Sequence, residues 1–243
     1  MRVLLLGGTG EARELAALLV GDGVDVVSSL AGRVRSPRLP VGGVRVGGFG
    51  GEAGLRDALD GYDAVVDATH PFARAISASA ATACAATGTP LLRLARPGWS
   101  DLPGAGRWTW VGSHDEAAGV AARHDGGTVF LTTGRQALDP FLGLRDVLVR
   151  VVEPVDVDLP PRWTVLRSRG PYDVAGETGL MTTYDVRVLV TKDSGGDLTR
   201  AKLDAADGLG VDVVVVRRPV GPAGVPEVSD VAGARAWLRA RAR

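Results

Sequence analysis

The chain is poor in several things, and each shortage excludes something. It has one cysteine, Cys84, so no internal disulfide can form, which fits a reducing compartment. Set among alanines, Cys84 reads as a small buried hydrophobe. No segment approaches the roughly 18 consecutive apolar residues that span a bilayer. Only four apolar residues, Val3–Leu6, precede the first glycines, too few for a signal peptide. The expectation is a cytoplasmic protein with no membrane contact and, as a working reading, a monomer.

Net charge is also lacking: 28 basic and 28 acidic side chains cancel over 243 residues. Bulk attraction to nucleic acid is therefore not expected, and any anion must be held by a local arrangement. His70, His114 and His124 lack metal-ligand spacing, so no metal site is expected. His114 falls in the first turn of a helix, where solvent suffices for it. The chain has no G-x-S-x-G elbow, no G-x-x-x-x-G-K-[ST] loop and no Tyr-x-x-x-Lys pair. Esterase, P-loop nucleotidase and short-chain dehydrogenase readings are weak on that ground.

What is present is a regular alternation of strand and helix. Strands are expected near 2–6, 24–28, 44–46, 63–67 and 90–94, with helices near 10–20, 52–60 and 73–87. The second half continues with strands near 127–132, 146–151, 164–168, 186–191 and 212–216. Its helices fit near 114–123, 136–142, 173–181, 198–208 and 230–241, the first opened by a Ser113/Glu116 capping box. Alternating units of this kind predict an α/β protein with parallel sheets covered on both faces. The turn-rich segment 97–106 is the expected junction. The predicted architecture is two Rossmann-like parallel-sheet domains with a cleft between them, a nucleotide-binding domain over 1–103 and a substrate domain over 104–243.

The first strand runs into Gly7-Gly8-Thr9-Gly10-Glu11 and then a helix. Glycines allow a tight turn and close approach of an anion, and the N–H groups of a helix start point toward it. The strict G-x-G-x-x-G spacing is absent, and a tight connection without ligand is the plain alternative. The second strand ends in Ser28 and Ser29, followed by Arg33, with no carboxylate. In dinucleotide folds a carboxylate there grips the ribose of NAD, whereas an arginine accommodates the 2′-phosphate of NADP. The inference is NADPH; a polar loop with a solvated arginine is the alternative.

Ligands of open parallel sheets bind beyond the carboxyl ends of the strands. In the second half three such ends carry hydroxyls, glycines and cations: Thr133 and Arg135; Ser168 and Arg169; Lys192, Ser194 and Gly195. Three on one edge predict a polyanion site. The only two lysines, Lys192 and Lys202, lie in one segment of a chain that otherwise uses arginine. The alternatives are a site that needs a compact ammonium and chance clustering on a solvated face. At the end of the fourth strand, Asp67 and His70 precede Pro71. His70 is either held in the cleft or is a hydrogen-bonded structural imidazole.

These segments, taken in order, resemble the precorrin-6A reductase family (CobK/CbiJ) of cobalamin biosynthesis. The resemblance rests on Gly7–Arg13, Ser29–Arg33, Asp67–Ala73, Arg96–Trp99, Thr132–Arg135, Ser168–Pro171, Thr191–Gly196 and Ala201–Leu203, spread over nearly the whole chain. Tyr172 departs from the phenylalanine frequent in the family. The resemblance implies NADPH-dependent hydride transfer to C19 of precorrin-6A, a polycarboxylate tetrapyrrole, giving precorrin-6B. Cofactor binding then falls to Gly7, Gly8, Thr9, Gly10, Glu11, Ser28, Ser29 and Arg33. Substrate carboxylates fall to Thr133, Arg135, Ser168, Arg169, Lys192, Ser194, Gly195 and Lys202. Asp67, His70 and Tyr172 are candidates to polarise or protonate the ring.

Overall fold

The computed structural model describes residues 1–32 and 38–242. Within this range the chain forms β1 (Arg2–Leu6), α1 (Gly10–Gly21), β2 (Asp25–Leu30), β3 (Gly43–Val46), α2 (Glu52–Ala58), β4 (Ala64–Asp67), α3 (Arg74–Thr87) and β5 (Leu91–Leu94). It continues with β6 (Thr109–Val111), α4 (His114–Ala121), β7 (Thr128–Leu131), β8 (Val147–Val151), β9 (Trp163–Arg167), α5 (Val174–Thr183) and β10 (Val186–Lys192). The last elements are α6 (Ala201–Leu209), β11 (Asp212–Val216), β12 (Glu227–Val228) and α7 (Val231–Arg239). The strands build two six-stranded, all-parallel sheets, as the alternation predicts.

The first unit comprises Met1–Pro97 and Pro219–Arg243. Its strand order is β12-β5-β4-β1-β2-β3. Order reverses at β1/β4, the crevice where doubly wound sheets take ligands. In β1, Val3 and Leu5 pack with α1 and α7, while Leu4 and Leu6 pack with Leu55 of α2 and Ala80 and Cys84 of α3. Burial on both faces explains why this strand reads as an unbroken apolar run. Burial also pushes the Cys84 thiol up to about 11, so it behaves as the hydrophobe expected.

The second unit, Gly98–Arg218, has the order β6-β11-β10-β7-β8-β9. Here the reversal falls at β7/β10. Phe130, Leu148, Leu189 and Val215 from the sheet meet Met181 of α5, Leu203 of α6 and the indole of Trp99.

Three expectations differ from the structure. The junction lies at 97/98 rather than 103/104, and Pro219–Arg243 do not stay with the second half. β12 pairs with β5, and Arg93 bonds Glu227 at 3.2 Å. Val231, Ala234 and Leu238 of α7 enter the first core, and Arg235 and Arg239 converge on Asp22. These two guanidiniums hold the Asp22 carboxyl far below its usual range. The turn-rich segment after Pro97 is packed, not a linker, because Trp99 and Ala105 are core residues spaced among its glycines and prolines.

Secondly, no α-helix forms at 136–142. The segment holds a single 3-10 turn, Asp139–Phe141, since Pro140 supplies no N–H and disfavours helical geometry at Asp139. Thirdly, the short strands β6 and β12 escape periodicity. The Ser113 cap is present, its Oγ accepting from Glu116 N at 3.1 Å, though the Glu116 carboxylate takes the Gly112 N–H at 2.8 Å rather than that of Ser113. No helix among the described residues is long and apolar enough to cross a membrane.

Candidate functional site

At the β1–α1 turn Gly7 N–H donates to Ser29 O at 3.0 Å, and a Cβ at Gly7 would lie 3.4 Å from that of Ala12. That spacing lets the helix start sit close to the strand. Gly8 has φ +117°, a backbone suited to glycine, and open space lies where a side chain would project. Thr9 caps α1: its Oγ1 accepts from Ala12 N at 3.1 Å and donates to Ala68 O at 2.8 Å. One hydroxyl therefore ties the turn to the end of β4 across the switch point. A small pocket opens here, lined by Thr9, Glu11, Ala68, Thr69, Pro71 and Arg96 among others. Glu11 would repel a phosphate, but Arg96 Nη1 meets its carboxylate at 2.8 Å and offsets that charge.

The end of β2 carries no carboxylate. Ser28 is buried with an Oγ that has no partner among the described residues, while Ser29 Oγ accepts from Arg45 of β3 at 2.9 Å. Arg33 lies outside the described residues. An open glycine turn at a capped helix start, beside the hydroxyls of the second strand, fits a nicotinamide nucleotide.

Asp67 ends β4 and is buried. Its Oδ1 accepts from Thr69 N at 3.1 Å and Thr69 Oγ1 at 2.6 Å, so it braces the loop that carries His70. His70 Nδ1 accepts from Phe72 N at 3.2 Å, which leaves Nε2 as the ring's donor.

In the second unit the loops after β7, β9 and β10 share one edge because all strands are parallel. Thr133 and Lys192 follow or end the two strands at the switch point. Thr133 is 1% exposed, and its Oγ1 has no partner among the described residues. Burial pulls the Lys192 ammonium down to about 8. Gly195 and Gly196 are both left-handed, at φ +66° and +65°. Ser194 N–H turns back to Lys192 O at 2.6 Å.

The cations are less available than their types suggest. Arg135 Nη1 contacts Asp156 Oδ2 at 3.0 Å and Pro154 O at 3.2 Å. Arg169 Nη2 stands 4.0 Å from Glu153 Oε1. Lys202 is buried, not surface-presented. Its Nζ donates to Thr199 O at 2.5 Å and lies 4.9 Å from the Trp99 ring centroid. Burial, then the Arg150 charge, pulls it down to about 7, against the opposing effect of Glu177. Tyr172 also serves packing. Its hydroxyl donates to Ser168 O at 3.0 Å, and its ring stacks on Arg150 at 3.9 Å.

Sequence reasoning gave no site role to three residues, and its reading that solvent suffices for His114 is corrected by the structure. Arg45 and Arg96 reach their sites through side-chain contacts with residues remote in the chain, Ser29 and Glu11. His114 is half-buried, its buried Nε2 has no partner among the described residues, and its pKa is lowered by burial and by the Lys192 charge. Its place after β6 on the loop edge was the available signal. Among the described residues no group of three or more His, Cys, Asp or Glu could hold a metal.

The fold and the two loop edges define a two-unit α/β protein with Rossmann-like parallel sheets. The chain matches the family described as precorrin-6x reductase CbiJ/CobK over residues 2–239. It is 53% identical to a precorrin-6A reductase of Rhodococcus erythropolis over 98% of this chain and 97% of that protein. It is 50% identical to one of Mycobacterium tuberculosis, again over 98% and 97%. A solved structure, CobK precorrin-6A reductase, superposes with TM-score 0.91 at 39% identity, covering 99% of this chain and 97% of that one. The chain belongs to the CbiJ/CobK precorrin-6x reductase family.

Proposed function

We propose that this chain reduces precorrin-6A to precorrin-6B with NADPH, delivering hydride to C19 of the macrocycle. The observation that carries the reading is the family match along the whole chain, relatives at 53% and 50% identity bearing the metal-free name. A relative named cobalt-precorrin-6A reductase, from Priestia megaterium, is 33% identical. The metal-free macrocycle is accordingly the preferred substrate.

NADPH, when bound, supplies the hydride. The chain's own part is binding and orientation. Gly7, Gly8, Thr9 and Gly10 would receive the pyrophosphate at the start of α1, and Ser28, Ser29 and Arg33 the adenosine ribose with its phosphate. Thr133, Lys192, Ser194 and Gly195 at the β7/β10 reversal would take substrate carboxylates, helped by Ser168, Arg135 and Arg169 where Asp156 and Glu153 yield them. Lys202 would act from beneath, shaping the loop rather than touching the ligand. His70 would hold the proton at Nε2, while Asp67 and Tyr172 keep their loops in place.

The test is to mix protein, NADPH and precorrin-6A and follow the near-ultraviolet absorbance of the reduced nicotinamide. Consumption requiring both ligands is expected, and none with either alone. Turnover only with the cobalt-bound macrocycle would move the assignment to that substrate. His70→Gln is expected to cut kcat by about 100-fold with NADPH affinity unchanged. An intact rate across pH makes His70 a brace for the Phe72 amide alone.

Lys192 sets an expected pH dependence. Its ammonium is charged below about 8 and neutral above, so the substrate KM should rise as pH passes through that value. The unfolded lysine keeps its proton up to its ordinary 10.5. Burial therefore costs stability at neutral pH, and the cost shrinks between about 8 and 10.5. Lys192→Met should raise KM and flatten the profile. A profile that persists in that variant assigns the titration elsewhere.

A further inference from the structure

The β2 end holds a guanidinium that the glycine-turn motif does not include. Arg45 of β3 stands directly across from Ser29 of β2 in the parallel register. Its Nη1 donates to Ser29 Oγ at 2.9 Å and to Gly47 O at 3.4 Å, and its Nη2 to Gly48 O at 3.2 Å. The guanidinium lies 3.6 Å from the centroid of the Phe49 ring, close enough to stack. These contacts fix the plane of an otherwise flexible side chain. They leave Nε without a partner among the described residues, and a guanidinium carries five N–H donors. Ser29 Oγ, accepting from Arg45, keeps its own hydrogen to donate. A pre-set arginine fork beside a hydroxyl donor, with no carboxylate at the strand end, is complementary to a phosphomonoester dianion.

We propose that Arg45, set by Phe49 and acting with Ser29, is a specificity-determining residue that receives the 2′-phosphate of NADPH. This rests on the reading of the β1–α1 turn as a nicotinamide nucleotide site and adds to Arg33, already assigned to that phosphate, a second cation that discriminates between the two nucleotides. The structural alternative is that Arg45 only closes the Gly47 and Gly48 carbonyls.

Equilibrium binding separates these roles. Adenosine 2′,5′-bisphosphate and ADP are titrated calorimetrically into the wild type, Arg45→Ala, Arg45→Lys and Phe49→Leu. NADPH and NADH follow as full ligands. For Arg45→Ala, affinity for the bisphosphate and for NADPH should fall by about 10- to 100-fold, the range of a lost charge-assisted contact. ADP and NADH should change by less than about twofold. Arg45→Lys should recover part of the loss, keeping charge without the fork. Phe49→Leu should show a smaller loss of the same selectivity. Equal losses for phosphorylated and unphosphorylated ligands, or no loss for either, overturn the assignment. Gly8→Val distinguishes the two levels of the argument. If it abolishes NADPH binding while Arg45→Ala leaves selectivity intact, the turn holds the nucleotide and Arg45 is structural. If wild type binds none of the four ligands, the nucleotide reading falls, and this proposal with it.

Discussion

Glu177→Ala should destabilise the second unit by about 3–5 kcal/mol, the usual consequence of stripping the counter-charge from a buried ion pair. Glu177 is 2% exposed and its Oε1 accepts a short bond from Arg150 Nη1, itself on an almost fully buried side chain. Lys202 is buried in the same electrostatic neighbourhood, where Arg150 disfavours its charge and Glu177 favours it. Glu177 is thus the carboxylate that makes two buried cations tolerable. Without it Arg150 keeps its charge, because a guanidinium does not lose its proton in a protein, and a water taking the vacated space supplies no counter-charge. Glu177→Gln keeps the shape and should cost less. Urea unfolding of both variants gives the comparison. A loss below about 1 kcal/mol for the alanine variant would mean that the pair is solvated in solution. Function should suffer as well, since Arg150 carries the Tyr172 ring. That ring packs against Gly170, where a Cβ would come within 3.1 Å, and the hydroxyl holds Ser168 O.

Asp193→Ala should cost about 3 kcal/mol and, separately, raise the substrate KM. Asp193 is 5% exposed. Its Oδ2 accepts from Arg218 Nε at 3.0 Å, and its Oδ1 from Arg218 Nη2 at 3.2 Å and Trp99 N at 3.0 Å. Trp99 in turn donates from Nε1 to Gly196 O at 3.0 Å. One carboxylate therefore fixes the loop that carries Lys192, Ser194 and Gly195, and removal frees that loop along with its stabilising bonds. Asp193→Asn keeps an acceptor for the Trp99 amide and should recover part of the stability. If KM is unchanged in both variants while stability falls, the loop does not meet substrate.

Much of this was readable from the chain, for a definable reason. The glycine turn, the Thr9 cap and the β/α alternation depend on steric and hydrogen-bonding choices among residues a few positions apart, so local sequence carries them. The same holds for the paired hydroxyls at the β2 end. The loops read as a candidate polyanion site share one edge because a parallel sheet sends every carboxyl end there.

The state of the side chains on those loops was not readable. Arg135 and Arg169 were identifiable as cations, but Asp156 and Glu153 reach them from a connecting segment with no periodicity. Lys202 looked like a surface ammonium because nothing nearby in sequence announces Trp99, Arg150 and Glu177 around it.

Sequence alone determined that this is a parallel α/β chain with a glycine turn leading into a capped first helix, since propensity, capping and glycine backbone freedom act over single turns. Tertiary structure decided that the last segment returns to the first sheet, that Arg45 meets Ser29, and which cations lie buried or paired. Those outcomes come from strand pairing and charge neutralisation between residues remote in the chain, where the free energy belongs to the partner as much as to the residue itself.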